Sequence, residues 1–485
     1  MVKPIRAGFP ADLPRGRQMG DGEENSFFMG TLRLFSRGML LALLAGVTVL
    51  SGCSKSYPAD SLKESLIEIC RKEYGIDNVQ VEIAGDTLGV YLPFGRLFSA
   101  DLKDAMATGK VQNMESLFQP SAEAIEKIED LLFALSRVMM STDIPLRFYE
   151  LQVTDVDHSG LELTLTGFLD DIKRVRIWDI SRNEYRNRIL HEIHLNQAVV
   201  WHSPVRKFFS ELGDQPLNQV RKKYLGDSLS LENLKHLFFD ALPPDEISPR
   251  AKIDWEIEDI RSVDLDKTGA VVYVRVQPQL KGEKIIPLSE DPLEFLFIVS
   301  IFADEEPHIV RVIPFQYRDD QGKWTKISFP SELQLEKNLS EWRREFMLEP
   351  LHLGTFLARQ LTRRVQADLA TDERIHNTFR SLKIGFDYVE KPRPGRFSMN
   401  IQAKLHDESA GTGRKLLLNE DMLYAVNLAL REFVDLVQNY RFGDYQQISL
   451  NLSNLAAPEV LSRDQLELFR RKEIDTAGLL SFVKV

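Results

Sequence analysis

Two stretches of this chain, one near each end, run through the same succession of helical and extended patterning, which constrains the fold more than any other feature. In the first, "SLKESLIEICRKEYG" sets Leu62, Leu66, Ile69 and Tyr74 near one helical face, with a Ser61–Glu64 capping box and Gly75 as its C′ residue. "NVQVEIA" and "TLGVYLP" then alternate as strands about a tight Gly-Asp turn. From Ser121 to about Met140, Ile125, Ile128, Leu132 and Leu135 recur at helical spacing. "RFYELQVTD" turns back into "LELTLTGF", and "ISRNEYRNRIL" opens a helix with a Ser181–Glu184 capping box. The last third offers a helix from about Leu351 to Leu369, strands "SLKIGFDYVE" and "RFSMNIQAKL" around "KPRPG", a long helix from Asn419 to Asn439, the strand "YQQISLNLS" and a closing "LSRDQLELFRRKE". The shared order helix–strand–strand–helix–strand–helix reads as two copies of one α/β unit.

Between them the pattern changes. After the helix "SLENLKHLFFDAL" and a "PPDEISP" linker come "KIDWEIEDIRSV", "AVVYVRVQP", "EFLFIVSIF", "HIVRVIPFQY" and "KWTKISF". These runs predict an antiparallel sheet with a covering helix. The expected class is α+β, with two related α/β units at residues 53–205 and 346–485 flanking a strand-rich antiparallel middle domain at 206–345. A leader precedes them at residues 1–52.

The leader ends in "RLFSRGMLLALLAGVTVLSGCSKS". Its uncharged run, Gly38 to Leu50, is thirteen residues long, short of the ~17–25 that cross a hydrocarbon core. Arginines precede it and small residues follow, the flanks of a signal peptide. The sequence "LSGC", Leu50 to Cys53, resembles the lipobox of bacterial lipoproteins. That resemblance implies cleavage before Cys53, lipidation of Cys53 and attachment to a membrane through several acyl chains, where one chain alone would hold weakly. Ser54 stands where an Asp would favour retention in the inner membrane, which points to the outer membrane, facing the periplasm. Residues 1–28 are polar with an acidic "DGEEN", and a start at Met29 would give a leader of ordinary length.

Composition narrows the partners. The leader holds six basic and four acidic side chains; removing its +2 from the chain's −11 leaves residues 53–485 near −13. With no long basic run, this argues against a nucleic-acid partner. Cys70 alone remains beside Cys53, so packing rather than an intrachain disulfide must hold the domains together. Cys70 reads as a buried apolar thiol, since a reactive one would want a cationic, exposed setting.

Few motifs suggest chemistry. "DVDHSG" (Asp155–Gly160) and "DLDKTG" (Asp264–Gly269) look like calcium loops, but Thr166 and Arg275 hold the twelfth positions, so they read as hairpin turns with Gly at positive φ. "HEIHLNQAVVWH" carries His191, Glu192, His194 and His202; its H-E-x-H spacing could align two imidazoles on a helix, as a zincin does with H-E-x-x-H. The bland alternative is a row of helix-surface histidines. "AGTGRK" (Ala410–Lys415) lacks phosphate-loop spacing, and no cofactor motif is found.

The layout also resembles OmpA-like peptidoglycan-binding domains, in which an Asp after a strand and an Arg on the next helix hold diaminopimelate. The matching residues are Asp155 with Arg182 or Arg186, and Arg463 in the last third; the T-D to L-S-x-x-R spacing departs from the family's in both copies. The expectation is therefore a lipid-anchored envelope protein that binds or scaffolds envelope protein partners. Peptidoglycan binding and metal-dependent hydrolysis in the periplasm are the alternatives.

Overall fold

The computed structural model describes residues 57–99, 118–157, 159–226, 230–239, 253–280, 286–289, 291–301, 306–314, 316–318, 324–326, 339–406, 419–452 and 458–481. The chain opens with helix α1 (Leu62–Tyr74). A 3-10 turn at Ala59–Ser61 runs straight into it, and the Ser61 side chain makes no capping bond, so the expected box is not formed. Gly75 ends the helix at φ 64°, and the Ile76 N–H behind it returns to the Cys70 carbonyl at 3.0 Å.

The first sheet contains β1 (Gln80–Ala84), β2 (Thr87–Phe94), β3 (Phe148–Asp155), β4 (Leu161–Phe168) and β5 (Leu190–Leu195), in that spatial order. Only β2 and β3 pair in parallel. A parallel join needs a crossover, and helix α2 (Ala122–Met140) supplies it, capped by Ser121 Oγ, which accepts from the Ala124 N–H. Helices α1 and α2 bury Leu66, Cys70, Leu131 and Leu135 in one core with Val90, Leu151 and Val153 of the sheet. Burial pushes the Cys70 thiol up to about 11, which keeps it protonated. Helices α3 (Leu169–Arg176) and α4 (Arg182–Arg188) connect β4 to β5.

Three helices follow: α5 (Gln197–Asp214), α6 (Leu217–Tyr224) and α7 (Leu231–Phe239). They cover a sheet of β6 (Ile253–Asp264), β7 (Gly269–Leu280), β8 (Leu293–Ser300) and β9 (His308–Pro314) in the order β9-β8-β7-β6, antiparallel throughout. Phe208, Phe209, Phe238, Trp255, Phe295 and Phe297 form an aromatic core in edge-to-face and tilted contacts. Helix α5 crosses residue 205, and its Trp201 and Val205 belong to this core. By packing, then, the middle unit begins ahead of residue 206.

The last unit runs α8 (Leu353–Thr371), α9 (Glu373–Thr378), β10 (Phe379–Val389), β11 (Gly395–Leu405), α10 (Glu420–Asn439), β12 (Tyr445–Leu452), β13 (Glu459–Ser462), α11 (Arg463–Arg470) and α12 (Thr476–Ser481). Its sheet order is β10-β11-β12-β13, with β11 and β12 parallel across the α10 crossover.

The chain is α+β. In both outer units two antiparallel hairpins are joined by one long helix, so a second strand follows that helix, β4 in one and β13 in the other. The shared order expected from sequence leaves that strand out of both units, although the pattern of "LELTLTGF" does predict the first unit's β4. The outer units also share a core: Phe148, Phe168 and Leu190 of the first sheet belong to the same cluster as Phe356, Phe397 and Phe433 of the last unit.

Candidate functional site

The residues singled out by sequence do not form one site. Cys53 and the "AGTGRK" loop lie outside the described residues. His191 and His194 are on strand β5, not on a helix, and three positions apart on a strand put them on opposite faces. His194 Nε2 lies 2.9 Å from Glu162 Oε1. The His191 imidazole, on the exposed run of β5, has its pKa lowered to about 4, first by partial desolvation and then by the charge of Arg363. His202 is on α5 and fully buried. Among the described residues no three His, Cys, Asp or Glu side chains gather in a metal-binding group.

Asp155 ends β3, buried, beside the hairpin to β4. Arg186 is on α4, which leads into β5 at the opposite end of the sheet, where Leu190 pairs with Thr166. The strand length separates them, so they cannot clasp one ligand. Arg182 is at the exposed start of α4. Arg463 donates to the Gly443 carbonyl at 2.9 Å and lies over the Tyr445 ring. Both D-x-D-x-[ST]-G stretches are hairpin turns; Gly160 has φ 67°, but Gly269 does not need positive φ because the Asp266 carboxylate closes that turn by accepting from Thr268 N–H and Oγ1.

What the fold does bring together is a largely buried polar cluster where the first and middle units meet beneath the segment that leads to the last. Residues 339–351 form a strap across the junction. On one side, Arg261 donates to Leu339 O at 2.8 Å, and Ser262 and Arg343 exchange backbone bonds of 2.9 and 2.8 Å, fastening the strap to β6. On the other, Gln152 donates to Met347 O and Leu351 N–H to Thr87 Oγ1, fastening it to the first sheet. The Phe346 ring stacks on Tyr91 at 5.6 Å. Strand β2 admits the strap through Gly89, where a Cβ would come within 2.7 Å of Leu348.

Glu345 is the centre. Arg206 of α5 grips it with two 2.8 Å bonds, His202 Nδ1 lies 3.0 Å from its Oε1, and Tyr91 Oη lies 3.4 Å from its Oε2. Burial alone would raise the carboxyl; the His202 hydrogen bond and the Arg206 charge outweigh it and hold the pKa at about 2. Burial also keeps the His202 imidazole neutral, so Nδ1–H donates and Arg206 is the cation that counts. Beside this, Glu162 accepts from Thr154 Oγ1, Thr164 Oγ1 and Asn196 Nδ2, and Asn196 Nδ2 also reaches the Glu345 carbonyl at 2.8 Å. Burial opposes ionisation of Glu162, but the bonds from His194, Thr154 and Asn196 prevail and lower its pKa.

A histidine oriented by a carboxylate is the base half of a nucleophilic triad. Here the constellation stops short. His202 Nε2 is buried and meets no hydroxyl or thiol among the described residues.

A second cluster joins the first unit to the last. Asp171 and Arg188, both buried, pair at 2.8 Å; Tyr440, just past the end of α10, donates to Asp171 at 2.6 Å and lies under the Arg188 guanidinium. Burial raises the Asp171 carboxyl despite these partners. Glu184 accepts from Arg188 and pairs with Arg364 of α8, and Gln360 of α8 donates to the Arg188 carbonyl.

These clusters were not visible in sequence. Glu345 sits in "SEWRREFMLEPLH", which has no helical or strand period; its only signal is a run of Trp342, Phe346, Met347 and Leu348 among charges. One open groove of about 640 Å³ lies in the last unit, ringed by Glu420, Tyr424, Arg431, Asp435, Arg470 and Asp475. Its charges alternate in sign, so it favours no ion class. Set against known proteins, this chain matches no family model, no curated sequence and no solved structure.

Proposed function

We propose that this chain is a lipid-anchored protein of the bacterial envelope, held by Cys53 and facing the periplasm from the outer membrane, that acts as a binding or scaffolding component of an envelope assembly. The observation that carries the scaffold reading is how the interior charges are used. Glu345, Arg206, Asp171 and Arg188 lie at the junctions between units, each engaged with another. Groups spent in this way hold three units in fixed relation, which suits a protein that presents surfaces to partners. The anchor rests on the leader and its Leu-Ser-Gly-Cys end. Neither the histidines nor the Asp155–Arg186 pair converge, which leaves hydrolysis and peptidoglycan binding without a geometry to support them.

Two experiments test this. Metabolic labelling with an alkyne fatty acid is expected to tag the wild-type chain and to fail in Cys53→Ser; labelling that survives the substitution would sink the anchor. Crosslinking in intact source cells, followed by purification through a C-terminal tag, is expected to bring down a reproducible set of envelope proteins. Recovery of the chain alone would count against the scaffold.

A further inference from the structure

The two most exposed large hydrophobic side chains among the described residues are neighbours: Ile177 at 74% and Trp178 at 79%. They follow α3, and Trp178 has φ 61°, a left-handed conformation that bulky residues rarely adopt. The turn that holds it is well bonded, with Asp179 N–H and Ile180 N–H both returning to the Arg174 carbonyl. A neighbouring stripe on α2 is also apolar and open. Phe133 and Met140 are exposed, and Ser136 lies between them at helical spacing. Ser136 ties the two patches together, donating to Phe133 O and accepting from Arg176 of α3.

This face lies beside the point where the described chain begins. Tyr57 N–H donates to Ser141 O and Thr142 Oγ1 to Tyr57 O, immediately after Met140. Cys53 is four residues before Tyr57, a reach of at most about 14 Å. Charge fits as well. Outside the buried Asp171–Arg188 pair, residues 170–187 carry five basic side chains (Lys173, Arg174, Arg176, Arg182, Arg186) and three acidic ones, a net of +2 in a chain that is acidic overall, with Lys173 paired to Asp170 at 2.8 Å and Arg174 to Asp179 at 2.6 Å.

We infer that Phe133, Met140, Ile177 and Trp178 form a face that lies on a bilayer bearing anionic headgroups. Trp and Ile enter the interfacial zone and the α3 and α4 cations meet the lipid phosphates. The inference rests on the lipid-anchor reading: the tether brings the protein to the membrane, and this face sets how it sits there.

The test uses the full protein purified from source cells and added to vesicles of phosphatidylglycerol and phosphatidylethanolamine, or of phosphatidylcholine, each with brominated acyl chains. Of the five tryptophans, Trp201, Trp255 and Trp342 are buried, and the protein tested carries Trp324→Phe, so quenching by bromine reports mainly on Trp178. Severalfold stronger quenching is expected with the anionic vesicles, reduced by salt, and abolished in Trp178→Phe while flotation with vesicles persists. Protein that floats but keeps Trp178 open to aqueous iodide would overturn the face and leave the anchor standing. Equal quenching in both vesicle types would overturn the charge match. If mass spectrometry finds no lipid on Cys53, the anchor reading fails separately; flotation with anionic vesicles that is lost in the Ile177→Ser/Trp178→Ser double variant would still support the face. A dimer abolished by that double variant, with no vesicle binding, would assign the face to a second copy instead.

Discussion

A carboxylate sealed from water is costly unless cations and donors replace its hydration, and removing one partner of such a pair leaves the other stranded. Glu345 is replaced in full by Arg206, His202 and Tyr91. Glu345→Gln preserves size but meets the Arg206 fork with an NH₂ group and removes the charge that Arg206 opposes. The expected loss is about 3–5 kcal/mol, read as a lower urea midpoint at unchanged slope; a loss below about 1 kcal/mol would mean the cluster does not hold the junction. Gly167 makes a different kind of prediction. It faces Tyr149 across the β3–β4 ladder, and a Cβ there would come within 2.2 Å of the tyrosine ring, whose hydroxyl is already bonded to Tyr185. Gly167→Ala should cost about 1–3 kcal/mol through overpacking, and a thermal melt unchanged from wild type would show that the ring can move aside. The last unit uses the same device, with Tyr388 packed over Gly395.

At the scale of elements, what could be read from the chain alone follows from whether the signal is local. Helices α2 and α10 announce themselves because Ile128, Leu131 and Leu135, or Met422, Val426 and Phe433, recur at helical spacing over many turns. Edge strands do not. "LHEIHL" buries little beyond Leu190, and its extended state comes from hydrogen bonds to β4; "EVLS" is fixed likewise by β12, whose partners lie outside the segment. The site was less legible still, because Glu345 and Arg206 are 139 residues apart and only the fold makes them neighbours. Helix α8 offers a test of how such long-range pairing couples elements. It packs Phe356 against Phe148 and Phe168 of the first sheet and sets Gln360 and Arg364 on the Arg188–Glu184 pair. The outer units should therefore unfold together. Arg188→Ala would strand Asp171, cost about 3–5 kcal/mol and split a single calorimetric transition in two, the last unit melting apart from the first; one undivided transition in the variant would place the coupling elsewhere.

For the molecule as a whole, acid is the condition under which the junctions should fail. Glu345 has its folded pKa lowered to about 2 from an ordinary 4.5, so the unfolded chain binds the extra proton between those values. The stability it contributes is whole above about pH 4.5 and is lost as pH falls towards 2, on the order of 3 kcal/mol. His202 acts in the same sense from a higher start: its folded pKa is lowered by burial, so its contribution is whole above its ordinary 6.5 and declines as pH falls below it. His194, raised by its bond to Glu162, runs the other way, with stability present below 6.5 and lost as pH rises through its folded value; its exposure screens that effect. Asp171 and Glu150, both raised by burial, also soften the acid loss by favouring the protonated folded form. The net expectation is a wild-type urea midpoint that falls from pH 7 to pH 5 through His202, with His191 acting in the same sense, and falls more steeply below pH 4.5 through Glu345, with a smaller share from Glu162. Glu345→Gln, which has no proton to take up, should flatten the lower limb while leaving the upper one. If both limbs survive in the variant, the acid response belongs to other carboxylates; if neither exists in wild type, the junction is not the element that acid opens. Since the strap fastens the middle sheet to the first through Ser262–Arg343 and Gln152–Met347 on either side of this carboxylate, the steep limb should coincide with proteolytic cleavage between residues 339 and 351.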